Sequence, residues 1–439
     1  MDLKRFFARP LCVAAAGLLT FGMAACSDND SDWDGTSDRE TALRLVVADY
    51  TANTVIPTYE ALADASVDLY NAIYAMYQAG AGHVTEAQVK AAGDAWRVAR
   101  DYWERSEAWL YGPAGDYDVD PHIDSWPLNA TALQALLNNS TEMAKMDAEG
   151  IYISQTMDYG ILGFHALEYL LFQVEGTGMS QTSVPHATNY TTEELSYITG
   201  VAGDLRNQCI ILEAAWRGES NISQTKQNIL DKVRATGETM TGNNENWSKA
   251  LNDLAAGLCY ADEMKNPVEG SSSDFVNFLA AAQTMISDGI QNIANEVGNV
   301  KIGNPTGMGS GEDYEYDPGY IESPYSLNSI NDFQGNIISI ENAYMGFQSG
   351  KSYNAGETYI KASTYTLSAY VATFNPELDN RVKAAITAAY DAIGQMAEPF
   401  AYTCNSANGY QAQNRAAITA CNELNDIFDE VLRALQEQR

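Results

Sequence analysis

His165 and Glu168 are the two residues whose types and spacing most directly invite chemistry. They lie in Tyr159–Phe172, which reads Y-G-I-L-G-F-H-A-L-E-Y-L-L-F. On a helix, positions i and i+3 share one face, so the imidazole and the carboxylate project together. The neighbours are apolar nearly all the way round, the pattern of a helix buried in a core. A buried carboxylate is costly unless it is paired, hydrogen-bonded or bound to a cation. Three readings follow. The pair hydrogen-bonds within the core and specifies it. Alternatively, it contributes to a metal site, for which one His and one carboxylate suit zinc or iron. In the third, the metal activates water in a peptidase.

Two side chains are too few to hold an ion, so further ligands must come from elsewhere. The peptidase helix motif H-E-x-x-H does not occur, and His83, His122, His165 and His186 are all the histidines there are. Di-iron bundles use Glu-x-x-His from two helices, whereas here the order is His-x-x-Glu and occurs once. Neither a Gly-rich phosphate loop nor a G-x-S-x-G elbow is apparent.

The elements that must position this pair read as long helices. Leu43, Val46, Val47, Tyr50, Val55, Tyr59 and Leu62 predict a helix over 41–76, with Pro57 as a kink. Thr85-x-x-Gln88 is a capping box opening a second helix to Tyr111, where Gly112-Pro113 stops it. The loop over 115–128 alternates Asp116, Asp118 and Asp120 as a calcium loop does. Pro121 and Pro127 replace the required Gly and Glu, which excludes an EF-hand. Further helices are expected over 131–143, 152–173, 191–216, 224–240, 247–264, 273–297, 331–347, 357–373, 376–401 and 412–438. In the last, Ala417, Cys421, Leu424, Phe428, Val431 and Leu435 form a bundle seam. Residues 301–328 lack periodicity, and a loop that long is usually functional. No strand pattern competes, so the class is all-α. Two four-helix bundles packed side by side are the natural packing, over 39–220 and 221–439.

Charge and address bound the partners. Of 439 residues, 25 are Lys or Arg and 58 Asp or Glu, a formal charge of −33, which excludes nucleic acid as a partner. Residues 1–25 have a basic start (Lys4, Arg5, Arg9) and an apolar stretch from Leu11 to Ala25 too short to span a membrane well. They end in M-A-A-C, which resembles a lipobox. That implies cleavage, lipidation of Cys26 and anchoring to a membrane. Residues 26–38 are acidic and aperiodic, a flexible tether. Acids directly after the lipidated Cys resemble surface-export signals, implying the outer face of the outer membrane, with the periplasmic face as the alternative. Cys209, Cys259, Cys404 and Cys421 remain. Cys404 and Cys421 are spaced either for a disulfide or for free buried thiols.

Gly163-Phe164-His165-Ala166-Leu167-Glu168 resembles the G-x-H-x-x-E signature of imelysin-like proteins. Trp96–Pro113 resembles that family's W-x-x-A-R-x-x-Y-x-x-S-E segment, and Asp124-Ser125-Trp126-Pro127 its following loop. Glu322-Ser323-Pro324-Tyr325-Ser326-Leu327-Asn328 and Asp332 resemble its second-half segment. The resemblance covers the chain from about Thr41 onward. It implies two helical bundles with a site at their interface, and an envelope protein of iron uptake or homeostasis. On that basis His165 and Glu168 are expected to hold a metal, iron or zinc. Ser106 and Glu107, and Ser326 and Asp332 from the second half, are expected to complete the ligand site. Implied partners are a metal or metal chelate and an outer-membrane transporter. The S-L-N run departs from members that carry an acid near that Ser. A metallopeptidase and a ligand-free structural surface protein are the alternatives.

Overall fold

A computed structural model describes residues 38–237, 245–268, 275–346 and 363–438. The expected signal segment, Cys26 and the tether up to residue 37 lie outside the described residues, as does most of the first turn and a half of the helix expected over 357–373. The class is all-α, with one two-stranded antiparallel sheet.

The first helix runs Arg39–Tyr50 and continues through a π-helical turn, Thr51–Val55, into Ile56–Ala79. Pro57 falls in the first turn of the last segment, where its missing N–H costs nothing. The capping box at Thr85 and Gln88 forms as expected and opens Glu86–Glu104. A second capping box, Thr191 with Glu194, opens Thr192–Arg217. Ile56–Ala79 lies between these two helices. Thr192–Arg217 is buried around its whole circumference from Tyr197 to Trp216. In the second half, Pro376–Gly394 packs on Gln411–Glu437 and on Ser329–Met345. The predicted seam from Ala417 to Leu435 is buried throughout.

The halves meet where Ser329–Met345 crosses Glu86–Glu104. A Cβ on Gly335 would sit 2.7 Å from Glu104 Cβ, so glycine allows this close approach. The buried apolar side chains form one connected set, running from Leu43 through Trp103 and Phe164 to Phe333 and Phe428.

Several expected helices are shorter. The second ends at Glu104, and a 3-10 turn, Glu107–Trp109, follows. The expected 152–173 helix breaks into Ile151–Thr156, a 3-10 turn Tyr159–Ile161 and Gly163–Leu171. Asp158 caps the backbone N–H of Gly160 and starts the middle turn, and Gly163 has φ +65°. From Phe172 the chain is extended, pairing Phe172–Glu175 with Thr182–Pro185 in the register Gln173 to Val184. Strands of four residues are too short to leave a periodic signal. The 247–264 expectation splits at Gly257, φ +93°. Cys209, Cys404 and Cys421 are free thiols, so the Cys404–Cys421 disulfide is not formed.

Candidate functional site

Gly163 fixes where His165 sits. Its φ of +65° is one that side chains resist, and a Cβ there would lie 2.0 Å from the Ile123 carbonyl oxygen. The start of the Gly163–Leu171 helix is thereby pressed onto the end of the Val119–Ile123 turn, directly before Asp124. Trp96 Nε1 donates to the Phe164 carbonyl at 2.9 Å and fixes the same turn from the Glu86–Glu104 helix.

His165 and Glu168 are both fully buried. His165 Nδ1 is 3.0 Å from Glu168 Oε2, as the i, i+3 spacing predicts. The opposite nitrogen, Nε2, lies 3.2 Å from Asp124 Oδ1. Glu168 Oε1 accepts from the backbone N–H groups of Tyr325 (2.9 Å) and Ser326 (2.7 Å), and from Ser326 Oγ (2.8 Å). Both oxygens of Glu168 are therefore engaged. Its role is to orient the imidazole, as carboxylates behind metal-binding histidines do.

The loop that supplies those donors is strained. Ser323 and Leu327, flanking Pro324–Ser326, have φ of +52° and +53°, uncommon for non-glycine residues and often found at functional sites. Four side chains over-determine it. Arg97 donates to the Ser326 carbonyl and to Asn328 Oδ1, both at 2.8 Å. Ser183 donates to the Tyr325 carbonyl and Ser329 to that of Glu322. Asp332 accepts from Ser323 Oγ and Asn328 Nδ2, each at 2.5 Å.

Arg100 occupies the centre, fully buried. Its Nη1 meets Asp124 Oδ1, and its Nη2 lies 2.5 Å from both Glu104 Oε1 and Glu322 Oε1. Trp103 Nε1 donates to the other Asp124 oxygen at 2.7 Å. Lys301 enters from a π-helical turn, Glu296–Lys301, and reaches Glu322 (3.2 Å), Glu107 (3.4 Å) and Glu104 (3.7 Å). Such turns are frequent at functional sites because they re-aim a side chain within a helix.

Carboxyl groups outnumber cations. Glu104, Glu107, Asp124, Glu168, Glu322 and Asp332 face Arg100, Lys301 and His165. Burial raises Glu322 to about 8, with Lys301 and Arg100 pulling it partly back. Burial likewise raises Asp332 to about 7, against the pull of Arg100. Glu107 is pushed well above the carboxylate range by burial, despite Lys301. Burial would depress His165, but the carboxylates of Asp124 and Glu168 beside its two nitrogens prevail and lift it to about 9. Asp124 goes the other way: Arg100 and His165 overcome its burial and hold it well below the usual range. Protons thus offset part of the excess negative charge, and a cation can replace them.

Among the described residues, one group that includes a histidine has the spacing to hold such a cation. Asp124, His165 and Glu322 each offer one ligand atom, and these atoms lie within 4.8 Å of one another. Of these residues, Glu322 has its Oε2 buried without a hydrogen-bond partner, and His165 Nε2 faces Asp124 as an ion pair at 3.2 Å. Groups of carboxylates alone, Glu104 with Glu322 and Asp332, and Glu104 with Glu107 and Asp124, share the same spacing. One imidazole with carboxylates suits iron, zinc or manganese.

Of the residues named from sequence, the structure brings His165, Glu168, Ser326, Glu107 and Asp332 into this cluster. Ser106 is buried beside it but donates to the Trp103 carbonyl at 2.7 Å. Glu104 and Lys301 carried no expectation of their own, and Arg100, Asp124 and Glu322 entered only as part of resembling segments. A signal for Arg100 existed. It falls on the stripe of Val89, Trp96 and Trp103, where an arginine needs a buried partner.

A model of the family described as Imelysin, peptidase M75, matches residues 55–430. The chain belongs to the imelysin family. It is 24% identical over 347 residues to iron-regulated protein A of Synechococcus elongatus, covering 79% of this chain and 75% of that protein. A solved structure assigned as an iron-regulated protein A precursor, from Parabacteroides distasonis, is 25% identical. It superposes with a TM-score of 0.67, covering 90% of this chain and 95% of that one.

Proposed function

We propose that this protein is a lipid-anchored cell-envelope protein that binds iron, or an iron-containing ligand, through Asp124, His165 and Glu322, and serves iron uptake or homeostasis. The observation that carries the reading is that Asp124, His165 and Glu322 form, among the described residues, the one His-containing group with ligand spacing, and that Glu322 Oε2 there is buried without a hydrogen-bond partner. A buried carboxylate oxygen without a partner calls for an explanation, and an ion bound there supplies one. Family membership and the iron-regulated relative support an iron-related role. Glu168 holds His165 Nδ1 and presents Nε2 to the ion. Binding displaces the His165 proton and draws Arg100 away from Asp124 and Glu322. Cys26, in M-A-A-C, is the proposed anchor, and an outer-membrane transporter the proposed recipient. Among the described residues no helix is long and apolar enough to cross a membrane.

A peptidase would need a free carboxylate near the metal as its base. Glu168, the acid of the G-x-H-x-x-E motif, is committed on both oxygens and so is not that base. Anaerobic equilibrium dialysis against Fe(II) tests the reading. Wild-type protein is expected to retain iron, and His165→Ala and Glu322→Gln to lose it. Equal retention by all three, or metal-dependent cleavage of unfolded casein abolished by Glu168→Gln, would overturn it.

A further inference from the structure

A cleft of about 420 Å³ opens on the outer side of the strained loop, outside the buried cluster. Its apolar walls are Tyr169, Phe172 and Tyr325, and Gln173, His186 and Glu194 line it as polar groups. The volume is that of a site for a small organic molecule. A bare ion has no use for it.

The walls are held by structure already described. Tyr169 and Tyr325 meet edge to face with centroids 5.1 Å apart. Phe172 packs edge to face on Trp96 at 5.3 Å and carries the Arg97 guanidinium over its ring at 4.8 Å. Tyr325 is pinned through its carbonyl by Ser183 and through its N–H by Glu168. The aromatic surface is thus preorganised.

The polar groups define what enters. His186 Nδ1 donates to the Ala187 carbonyl at 3.0 Å, so in the neutral ring Nε2 is an acceptor. Glu194 caps Thr191 through Oε2 and remains an acceptor group. Gln173 offers both a donor and an acceptor. No Lys or Arg lines the cleft. Glu194 does line it, which disfavours an anionic ligand. Acceptors call for hydroxyl donors, and aromatic walls for an apolar ring face.

We propose that the cleft between the Phe172–Glu175 strand and Pro324–Tyr325 binds a neutral ring carrying several hydroxyl groups. A pyranose and a catechol share that chemistry, and the test separates them. Saturation-transfer NMR on the soluble chain would use methyl α-glucopyranoside and catechol as probes, with benzoate as an anionic ring control. Transfer to one of the two hydroxylated probes is expected, with none to benzoate. His186→Ala and Gln173→Ala, each at a partly exposed position, are expected to reduce that transfer several-fold. Retention of iron by Glu322→Gln or wild-type protein is a separate readout, so failure of the metal reading leaves this one standing. No transfer to either probe, equal transfer to benzoate, or transfer unchanged in both variants overturns the proposal.

Discussion

His165 and Asp124 meet through Nε2 and Oδ1 at 3.2 Å, yet the imidazole nitrogen makes no hydrogen bond there. Its partner nitrogen is fixed at 3.0 Å by Glu168, which the backbone of Tyr325 and Ser326 holds in turn. The ring is therefore held by one carboxylate at Nδ1 and ion-paired with a second at Nε2. On the proposed metal reading, an ion takes the place of the proton on Nε2.

Replacing Glu168 by Gln should leave the fold intact, because the amide oxygen still accepts from the Tyr325–Ser326 turn. It should weaken Fe(II) affinity by about 10–100-fold, the usual cost of losing the group behind a metal-binding His. Isothermal titration under argon measures this. Unchanged affinity would show that His165 needs no orientation by a carboxylate.

Arg100→Met should be strongly destabilising, by about 3–5 kcal/mol, since it leaves Asp124, Glu104 and Glu322 buried without their cation. Urea unfolding gives the value. A loss below about 1 kcal/mol would mean that Lys301 and protons alone offset the charge.

How much of this was legible in the sequence depends on what each residue needed. The G-x-H-x-x-E stretch was readable because a His and a Glu interrupt an apolar helix. The capping boxes at Thr85 and Thr191 were readable because they are local hydrogen-bond patterns, and both form. Lys301 was hidden because it closes a π-helical turn, and no 3.6-residue period places its side chain inward. Glu322 and Asp124 sit in loops, where an acid ordinarily faces water. Their burial is imposed by Arg100, more than two hundred residues from Glu322. The Phe172–Pro185 hairpin left no trace, being too short for alternation to register.

Stability of the metal-free protein should fall as pH rises from about 6 to 9. His165 rises from 6.5 to about 9 on folding, so its contribution is complete below 6.5 and lost through 9. Glu322 and Asp332 are raised to about 8 and about 7, so the folded state keeps protons that the unfolded chain has released. Unfolding then releases protons, and higher pH favours it. Thermal melts in chelator-containing buffer at half-unit steps check this. A melting temperature that climbs between pH 6 and 9 contradicts the protonation pattern.

Gly163→Ala should cost at least about 2 kcal/mol, since the new Cβ meets the Ile123 carbonyl in a left-handed conformation. Because that contact sets the position of His165 against Asp124, iron binding should fall in the folded fraction as well. Denaturant unfolding paired with dialysis separates the two effects. A stable variant with wild-type binding would show that the turn does not position the imidazole.

The central claim is that Asp124, His165 and Glu322 jointly hold the ion. Crystals soaked anaerobically in Fe(II) and measured at the iron absorption edge test it most directly. The account predicts one strong anomalous peak about 2.0–2.2 Å from His165 Nε2, with carboxylate oxygens of Asp124 and Glu322 at similar distances. A peak elsewhere, or no peak with Arg100 still bridging Asp124 and Glu322, would contradict it.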